Sequence, residues 1–275
     1  MKLDLHTHSH FSDGTLAPAG VVQRAFERGV GVMVLTDHDS VDGYPEAQAA
    51  GERLGLRVLC GVEINTREDD LHVLGYGIDW RSAALRASLV EFRGRREKRI
   101  RAVVERLREA QVDLRWEEVQ GEAAVTRSQS VGRPHVADAL RRKGLVRNRH
   151  EAFQKYLSPG RPGFVGPMGP TAEEAIAAIR AAGGMPVIAH PGSLFDLSDF
   201  QRWAEAGLLG IEVFYPTHSG GVVRELLGVA QAAGLTPTGG SDFHGPGTGR
   251  DKIAGFEPSD EVRKALAPRL GVELE

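Results

Sequence analysis

Short apolar runs alternate with amphipathic stretches along the first third of the chain. The runs have the length of buried strands, and each amphipathic stretch has helical periodicity and ends before a glycine, which commonly stops a helix. The predicted strands are Leu3–Leu5, Val32–Leu35, Val58–Val62 and Leu71–Tyr76, and the predicted helices are Val21–Arg28 and Glu46–Leu54. Alternation of strand and helix is typical of parallel strands joined by right-handed crossovers. We therefore predict an α/β fold with parallel strands here.

This alternation stops after Trp80. Ser82–Ala110 is a long polar stretch of helical character, rich in arginine and glutamate, and Pro134–Lys143 and His150–Leu157 are predicted to be shorter helices. No further strand pattern appears before Ser158–Pro170, which is dense in glycine and proline and is predicted to be a loop. The whole segment therefore has the pattern of a helical insertion.

Strands and helices alternate again after this loop. The predicted helices are Thr171–Ala182, Leu197–Ala206 and Val222–Ala233, and the predicted strands are Met185–Ala189, Ile211–Phe214 and Thr236–Gly239. Thr171 is expected to cap its helix, because Glu173 and Glu174 in the first turn favour a helix start there. We predict a discontinuous barrel of residues 1–80 and 167–275, with residues 81–166 inserted as a helical cap.

Length and composition suit this picture and indicate the cellular compartment. The 275 residues and the hydrophobic content of 41% fit one α/β barrel, with or without an insertion. The single cysteine, Cys60, excludes an internal disulfide and suits a reducing cytosol. No apolar run is long enough to span a bilayer, and no signal-peptide pattern is present. We therefore expect a cytoplasmic protein with no membrane segment and no evident obligate protein partner.

Charge is unevenly distributed along the chain. The net charge of −3 gives no overall signature of nucleic-acid binding. The stretch Arg93–Arg108, however, is dense in arginine and lysine. This pattern is typical either of a solvated helix face or of a surface that meets a polyanion.

Histidine and carboxylate side chains recur at the predicted strands. In a parallel barrel the carboxyl ends of the strands share one face, so residues far apart in sequence converge there. The candidate metal ligands are His6, His8, Asp13, His38, Glu63, His72, His190, Asp242 and His244. His6 and His8 lie two positions apart in an extended segment and therefore point to the same side. So many ligands exceed the needs of one ion, and we predict two or three divalent cations, Mn²⁺ with Zn²⁺ or Fe as alternatives.

Six short motifs, in chain order, resemble those of the polymerase and histidinol phosphatase (PHP) family. They are Asp4-Leu5-His6-Thr7-His8-Ser9, Ser12-Asp13-Gly14, Thr36-Asp37-His38-Asp39, Gly61-Val62-Glu63, Ala189-His190-Pro191 and Gly240-Ser241-Asp242-Phe243-His244. The resemblance implies a distorted seven-stranded (β/α) barrel with a trinuclear metal site. It also implies how the ligands are shared: one ion takes His6, His8, Glu63 and Asp242, a second takes Asp13, His38 and His244, and a third takes Glu63, His72 and His190.

Further motifs, two of them in the insertion, are similar to those of a bacterial subgroup of this family. They are Gly132-Arg133-Pro134-His135-Val136-Ala137, Phe153-Gln154-Lys155-Tyr156-Leu157 and Leu71-His72-Val73-Leu74-Gly75-Tyr76. Members of the subgroup hydrolyse 3′,5′-nucleoside bisphosphates, and some act as 5′-to-3′ exoribonucleases on short 5′-phosphorylated RNA. The resemblance therefore implies hydrolysis of the 3′-phosphate of a nucleoside bisphosphate, such as pAp to AMP and phosphate, with short 5′-phosphorylated RNA as a further substrate.

Phosphoester hydrolysis of this kind needs an activated water and cationic groups for the substrate. A metal-bridging water has its pKa lowered to ~7 and supplies hydroxide without a side-chain nucleophile. His190 and His218 are the candidates to protonate the leaving oxygen. Candidates to hold the second phosphate of the substrate are Arg133, His135, Lys155 and Arg161.

Three alternatives stay open at this point. A monophosphatase of the histidinol-phosphate type would not need a cap with basic residues. Amidohydrolase chemistry on a similar barrel often needs a metal-bridging carbamylated lysine, and no lysine lies at a predicted strand end. A non-enzymatic, metal-stabilised interaction module is expected to lack some ligands, whereas the set in this sequence is intact.

Overall fold

Seven strands form one curled sheet in the computed structural model, which describes residues 1–68, 71–125 and 128–274. The strands are β1 (Lys2–Thr7), β2 (Val30–Leu35), β3 (Arg57–Asn65), β4 (His72–Tyr76), β5 (Met185–Ile188), β6 (Gly210–Phe214) and β7 (Thr236–Gly239). Their order in the sheet follows their order in the chain. The predicted α/β class and the distorted seven-stranded barrel are confirmed.

Strand β4 runs against the direction of its neighbours. It pairs antiparallel with both β3 and β5, whereas the other paired neighbours in the sheet are parallel. The prediction of parallel strands was therefore wrong for β4. The physical reason is the connection: only residues 66–71 separate β3 from β4, and a parallel pair needs a crossover of a dozen or more residues.

The first strand meets the segment after the last strand through main-chain hydrogen bonds. The Asp242 amide donates to the His6 carbonyl (2.9 Å), and the His8 amide donates to the Phe243 carbonyl (2.8 Å). Closer to the start of β1, Leu3 and Phe256 exchange two such bonds (2.8 and 2.7 Å). The barrel is thus closed partly by loop backbone, and this closure sets two groups of candidate ligands side by side.

Helices flank the sheet and fill the insertion. They are α1 (Pro18–Glu27), α2 (Tyr44–Leu54), α3 (Ala83–Glu109), α4 (Trp116–Val125), α5 (Arg133–Arg142), α6 (Arg149–Ala152), α7 (Ala172–Ala181), α8 (Leu197–Glu205), α9 (Gly220–Ala233) and α10 (Asp260–Leu270). A π-helical turn, Phe153–Leu157, follows α6 directly, where one continuous helix was predicted. The predicted cap of α7 is confirmed, because Thr171 and Glu174 hydrogen-bond each other's backbone amides. Among the described residues, none of these helices could span a membrane.

Two helices, α4 and α10, lie where the sequence analysis predicted none. α10 contains Pro268, a residue that normally breaks helical patterns, and it follows a long irregular segment. Its start is nevertheless well marked, because the Ser259 hydroxyl accepts from the Val262 amide (3.4 Å) and two acidic residues fill the first turn. These local signals were present in the sequence and were overlooked.

Helix α3 belongs to two hydrophobic cores. Its first half packs Leu85 and Leu89 into the core on one face of the sheet. Its second half packs Val103 and Leu107 into a separate core shared with α4, α5 and the π-helical turn. The inserted helices therefore have an apolar core of their own, and α3 joins it to the barrel. This arrangement is the one that a cap over residues 81–166 requires, although the boundaries themselves stay a prediction.

Candidate metal centre

The structure brings the nine predicted metal ligands together at one end of the barrel. Within each of three groups the potential ligand atoms lie within 4.8 Å of one another. The groups are His6, His8, Glu63 and Asp242; His8, Asp13, His38 and His244; and Glu63, His72 and His190. We call these the first, second and third clusters. Their membership matches the sharing that the family resemblance implies, with His8 added to the second cluster.

The reversed direction of β4 explains how His72 reaches this end. The other candidate ligands sit in or near the carboxyl-terminal ends of strands, as at His6 in β1 and His190 just after β5. His72 is instead the first residue of β4. Because β4 is antiparallel, its start lies beside the end of β3, and His72 therefore contacts Glu63 from the adjacent strand (2.7 Å, Nδ1 to Oε1).

Glu63 stands between two clusters and presents one oxygen to each. Its Oε2 lies 3.2 Å from His6 Nε2 and 3.1 Å from His8 Nε2. Its Oε1 lies 2.7 Å from His72 Nδ1 and 3.2 Å from His190 Nε2. A carboxylate in this position can bridge two cations, because each of its two oxygens can bind a different ion.

Several polar atoms of the clusters are buried without a hydrogen-bond partner. Among the described residues they include Asp13 Oδ1, Asp242 Oδ1 and His244 Nε2. His244 Nε2 lies only 3.2 Å from Asp13 Oδ1, yet the pair is not aligned as a hydrogen bond. Buried polar atoms are normally satisfied, so lone pairs that converge without a donor point to a cation-binding site. The mixture of imidazole and carboxylate suits Zn²⁺, Mn²⁺ or Fe, and the residues present thus fit divalent cations.

The carboxylates are held in their ionised form. Burial opposes the ionisation of Glu63, yet His38, His6 and His72 together outweigh burial and hold the pKa of Glu63 well below its ordinary value. In the same way Asp13 is buried, and His244 and His38 hold its pKa well below the ordinary range. Ionised carboxylates are the form that binds a metal.

The imidazoles divide into two kinds. Burial lowers the pKa of His38, His72 and His244, which leaves these rings neutral and able to offer a lone pair. Burial also opposes a charge on His8, but the adjacent carboxylates of Asp242 and Glu63 outweigh burial and raise the pKa of His8 to about 9. A metal that binds through Nε2 of His8 would have to displace this proton.

Buried carboxylates outside the clusters hold the candidate ligands in place. The sequence analysis quoted Asp4 and Asp37 within motifs but gave them no role, and it missed Glu212. Asp37 accepts from the Ser9 amide (2.7 Å) and from the Ser12 hydroxyl (2.8 Å), which shapes the loop that carries Asp13. Asp4 accepts from the amide of Ser241 (2.9 Å), the residue before Asp242. Glu212, in β6, accepts from His6 Nδ1 and from the His190 amide. The available signal was a charged residue inside an otherwise apolar strand, as at Asp4 and Glu212.

Two candidate ligands have unusual backbone conformations. His190 has φ 28° and Asp242 has φ 51°, values that side-chain-bearing residues rarely adopt. The outer oxygen of Asp242, Oδ2, accepts from the Tyr215 hydroxyl (2.8 Å) and from Arg250 Nη1 (2.7 Å), so that Oδ1 faces the clusters. Strain of this kind persists where the surroundings impose it and is common at functional sites.

Comparison with known proteins identifies the family. A family model described as PHP domain matches residues 4–152. The 3′,5′-nucleoside bisphosphate phosphatase of Chromobacterium violaceum is 37% identical over 290 aligned residues, which cover 99% of this chain and 98% of that protein. The chain belongs to the PHP family. The 5′-3′ exoribonuclease Rnm of Salmonella typhimurium is 34% identical, over 88% of this chain and 85% of that protein.

A solved structure supports the same assignment. A Bifidobacterium adolescentis protein, assigned as a metal-dependent phosphoesterase, has a TM-score of 0.88 and 30% identity to this chain, and the match covers 99% of this chain and 96% of that one. As a PHP-family protein with these relatives, the molecule is a metal-dependent phosphoric ester hydrolase. The alternative of a non-enzymatic interaction module is therefore set aside.

A cavity of about 250 Å³ opens beside the clusters of this PHP-family enzyme. One side of it is formed by three candidate metal ligands, Asp13, His38 and His72. Four guanidinium groups also line it, those of Arg96, Arg99, Arg133 and Arg250, together with apolar groups that include Phe153 and Phe164. Arg96 and Arg99 were not singled out in the sequence, although they lie within the predicted Arg-rich stretch and are three positions apart on α3. The cavity thus combines metal-ligating, cationic and aromatic groups.

The four predicted phosphate-binding residues are not all gathered in this cavity. Arg133 lines it, with its guanidinium 5.4 Å from the centre of the Phe153 ring. His135 is buried, its Nδ1 accepts from the Gly132 amide (3.0 Å), and burial lowers its pKa to about 4. Lys155 points away and pairs with Glu151 (2.7 Å), with half of its side chain exposed. These differences arise because the π-helical turn and the start of α5 aim neighbouring residues in different directions.

The last two predicted residues also lie outside this cavity. Arg161 lines a shallow depression next to it, which shares Phe164 with the cavity. His218, a predicted proton donor, has both ring nitrogens near main-chain groups: Nδ1 lies 2.9 Å from the Val213 carbonyl, and Nε2 accepts from the Gly192 amide (3.3 Å). Only the Nδ1–H tautomer satisfies both contacts. His218 therefore ties the loop after His190 to β6.

Proposed function

We propose that this enzyme hydrolyses the 3′-phosphate of 3′,5′-nucleoside bisphosphates, such as pAp to AMP and phosphate. The observation that carries the proposal is the cavity, in which candidate metal ligands and arginines line a common space. A substrate with two phosphates needs two anion sites, one at the metal clusters and one apart from them. Similarity to a 3′,5′-nucleoside bisphosphate phosphatase over nearly the whole chain supports the same substrate class.

The nine residues of the three clusters are proposed to hold the divalent cations, with Mn²⁺ preferred and Zn²⁺ or Fe as alternatives. Bound divalent cations supply Lewis acidity and lower the pKa of coordinated water, which makes water an effective nucleophile at neutral pH. The side chains of this chain then position the reacting groups. Tyr215 and Arg250 fix the outer oxygen of Asp242, and Glu63 keeps two clusters at a fixed spacing.

The second phosphate is proposed to bind at the cap side of the cavity. Arg133 is the first residue of α5, so its guanidinium lies beside a helix N-terminus, which favours anions. Arg99, from α3, faces the same cavity. Arginine suits this task because its planar fork binds phosphate oxygens in pairs. The rings of Phe153 and Phe164 offer an apolar wall for a nucleobase.

The test compares substrates that differ in the second phosphate. Metal-free protein reloaded with Mn²⁺ is assayed for phosphate release from adenosine 3′,5′-bisphosphate, AMP, histidinol phosphate and an aryl phosphate. We expect Arg133→Ala to lower kcat/KM for the bisphosphate about 10–100-fold and to change the aryl phosphate little, because charge-assisted contacts contribute roughly 1.5–3 kcal/mol each. Arg141→Ala, on the exposed side of the same helix, serves as the matched control.

The outcomes separate the remaining alternatives. Equal losses on the bisphosphate and the aryl phosphate would assign Arg133 to the fold or to the reacting phosphate. Preferred hydrolysis of histidinol phosphate by the unmodified enzyme would favour the monophosphatase alternative and contradict the proposed substrate. Absence of any phosphate release in the metal-loaded enzyme would refute the proposed reaction altogether.

A second substrate, short 5′-phosphorylated RNA, is favoured by the depression next to the cavity. Arg106 and Arg161 line it together with Phe164, which also faces the cavity. Cations beside an aromatic ring are the groups that bind single-stranded nucleic acid. The Salmonella typhimurium relative is named as a 5′-3′ exoribonuclease. We expect Arg161→Ala to slow hydrolysis of a short 5′-phosphorylated RNA while hydrolysis of adenosine 3′,5′-bisphosphate stays unchanged. If the variant and the unmodified enzyme hydrolyse the RNA at the same rate, this role of Arg161 is contradicted.

A further inference from the structure

Glu212 is a fully buried carboxylate in the middle of strand β6. Its strand neighbours Ile211 and Val213 are buried apolar residues. Burial of a carboxylate is costly unless hydrogen bonds or charges compensate it. Glu212 is not a member of the three clusters, so its presence calls for a reason other than direct contact with a metal.

The contacts of Glu212 lead to two candidate ligands from different strands. Its Oε1 and Oε2 lie 3.1 and 3.2 Å from His6 Nδ1, and Oε2 accepts from the His190 amide (2.8 Å). A carboxylate only accepts hydrogen bonds, so Nδ1 of His6 is the donor. The other nitrogen of that ring, Nε2, is then left to face the first cluster, where it lies 3.2 Å from Glu63 Oε2 and 3.4 Å from Asp242 Oδ1.

The contact with His190 acts on the main chain. His190 has φ 28°, a conformation that needs support from its surroundings. The hydrogen bond from its amide to Glu212 supplies such support. The ring of His190 belongs to the third cluster and stacks on the ring of His6, with the ring centres 5.6 Å apart and the planes inclined by 17°. One carboxylate therefore contacts a ring from the first cluster and the backbone of a residue from the third.

We propose that Glu212 is a positioning residue that orients His6 for the first cluster and His190 for the third, and thereby couples the metal affinities of these two sites. The proposal rests on the metal-binding role proposed for the clusters. Partners of this kind fix the tautomer and the direction of a ligating imidazole and increase its basicity, and their loss typically weakens metal binding. The second cluster, which contains neither His6 nor His190, is not expected to depend on Glu212.

The variant for the test is Glu212→Gln, which keeps the size of the side chain. The amide nitrogen of glutamine is a donor and cannot accept from His6 Nδ1–H or from the His190 N–H, and the variant also removes the negative charge that both contacts share. Glu122→Gln is the matched control, because Glu122 is also a buried glutamate but pairs with Arg142 in the cap. Both variants and the unmodified protein are freed of metal and titrated with Mn²⁺ by calorimetry, and the visible spectrum is recorded after loading with Co²⁺.

We expect Glu212→Gln to weaken binding at two of the sites by about 10–100-fold, with a changed Co²⁺ spectrum, while one site and the Glu122→Gln isotherm stay as in the unmodified protein. Unchanged affinities, or equal weakening at every site together with a lower unfolding temperature, would overturn the proposal. If the unmodified protein binds no divalent metal, that result alone contradicts the proposed metal centre, and with it the role proposed for Glu212.

A second test of the role of Glu212 uses the unmodified protein, so it does not depend on whether Glu212→Gln folds. In the Zn²⁺-loaded enzyme, long-range ¹H–¹⁵N correlation spectra of the histidine rings report which nitrogen carries the proton. We expect His6 to keep its proton on Nδ1, slow to exchange, with Nε2 bound to the metal. A His6 ring bound through Nδ1, or protonated at Nε2, would contradict the proposed role of Glu212.

Discussion

At the scale of single residues, the metal centre is a balance between burial and charge. Burial opposes every charge there, and each carboxylate stays ionised because imidazoles surround it, as at Glu63 and Asp13. The imidazoles that stay neutral, such as His38, do so because burial outweighs the neighbouring carboxylates. The carboxylates and the neutral imidazoles therefore have the protonation state that metal binding needs, whereas the raised pKa of His8 means that a metal must displace its proton.

A different residue, His135, contributes to how the stability of the protein responds to acid. Its pKa in the folded protein is about 4, below the ordinary 6.5, because the ring is buried. Between these values the unfolded chain binds a proton that the folded chain does not bind. The contribution of His135 to stability is therefore complete above pH 6.5 and is lost as the pH falls toward 4, and the loss amounts to about 3 kcal/mol.

The variant His135→Asn tests this pH dependence. Asparagine can keep an acceptor for the Gly132 amide but does not titrate in this range. We expect the free energy of unfolding, measured in urea, to fall less steeply between pH 6.5 and 4 for the variant than for the unmodified protein. A constant difference between the two proteins across this range would show that His135 binds its proton equally in both states.

The candidate ligands could be predicted from the sequence, but several of their supports could not. His6 and His8 stand out because two imidazoles recur with the period of a strand. Glu212 does not stand out, because a single buried acid resembles an ordinary polar position until its partner across the barrel is known. Lys155 shows the opposite error: it lies in the right segment, but its pairing with Glu151 directs it away from the cavity.

At the scale of elements, direction and connection decide which residues meet. The strand pattern of β4 was evident, whereas its antiparallel direction depended on the absence of a helix between β3 and β4. That direction brings His72 to the end of the barrel that carries the other candidate ligands. His72 was predicted as a ligand because the strands were expected to be parallel, and this reason does not apply to β4. Sequence periodicity predicts that an element exists more securely than it predicts how the element is oriented.

The inserted helices are tied to the loop that carries Asp13 by Arg149, the first residue of α6. Its guanidinium donates to both oxygens of Asp138 on α5 (2.6 Å at the shortest) and to the main-chain carbonyl of Asp13 (3.2 Å). Arg149 and Asp138 are largely buried. We expect Arg149→Ala to lower the free energy of unfolding by about 3–5 kcal/mol, because it leaves the largely buried Asp138 charge without a hydrogen-bonded cation.

Two further variants check this interpretation. Arg141→Ala removes a guanidinium that lies 3.7 Å from the same Asp138 but is largely exposed, and it is expected to cost about 1 kcal/mol or less. Arg149→Met combined with Asp138→Leu removes both charges and is expected to recover much of the loss. If Arg149→Ala unfolds in urea like the unmodified protein, the pair does not hold the cap to the barrel.

At the scale of the whole molecule, the barrel strands and their loops carry the candidate metal ligands, and the inserted helices carry several arginines. Helix α3 packs into both hydrophobic cores, so its arginines are held at a fixed position relative to the barrel. Arg96 reaches from α3 to Asp39, next to His38, and to the Val131 carbonyl in the cap (3.5 and 3.2 Å). The cavity between the candidate metal ligands and the arginines thus depends on α3, which joins the two hydrophobic cores.

Metal binding is expected to stabilise the whole fold, because the clusters draw ligands from both ends of the chain. His6 and His8 come from β1, and Asp242 and His244 come from the segment after β7. A cation that binds only the folded protein adds about 2.7 kcal/mol per site when its free concentration is 100 times its Kd. For a chain of this size one such site raises Tm by about 5 °C.

This expectation is tested by following thermal unfolding of metal-free protein before and after addition of Mn²⁺, Zn²⁺ or Mg²⁺. Asp242→Ala removes a ligand that the first cluster needs, so we expect this variant to show a smaller rise in Tm than the unmodified protein and to retain little phosphoesterase activity. Asp260→Ala, an exposed change at the start of α10, should show the full rise. An equal rise in all three proteins would mean that the stabilising cation binds outside the first cluster. No rise with any of these metals would contradict the proposed metal centre, because an ion that binds only the folded protein must stabilise it.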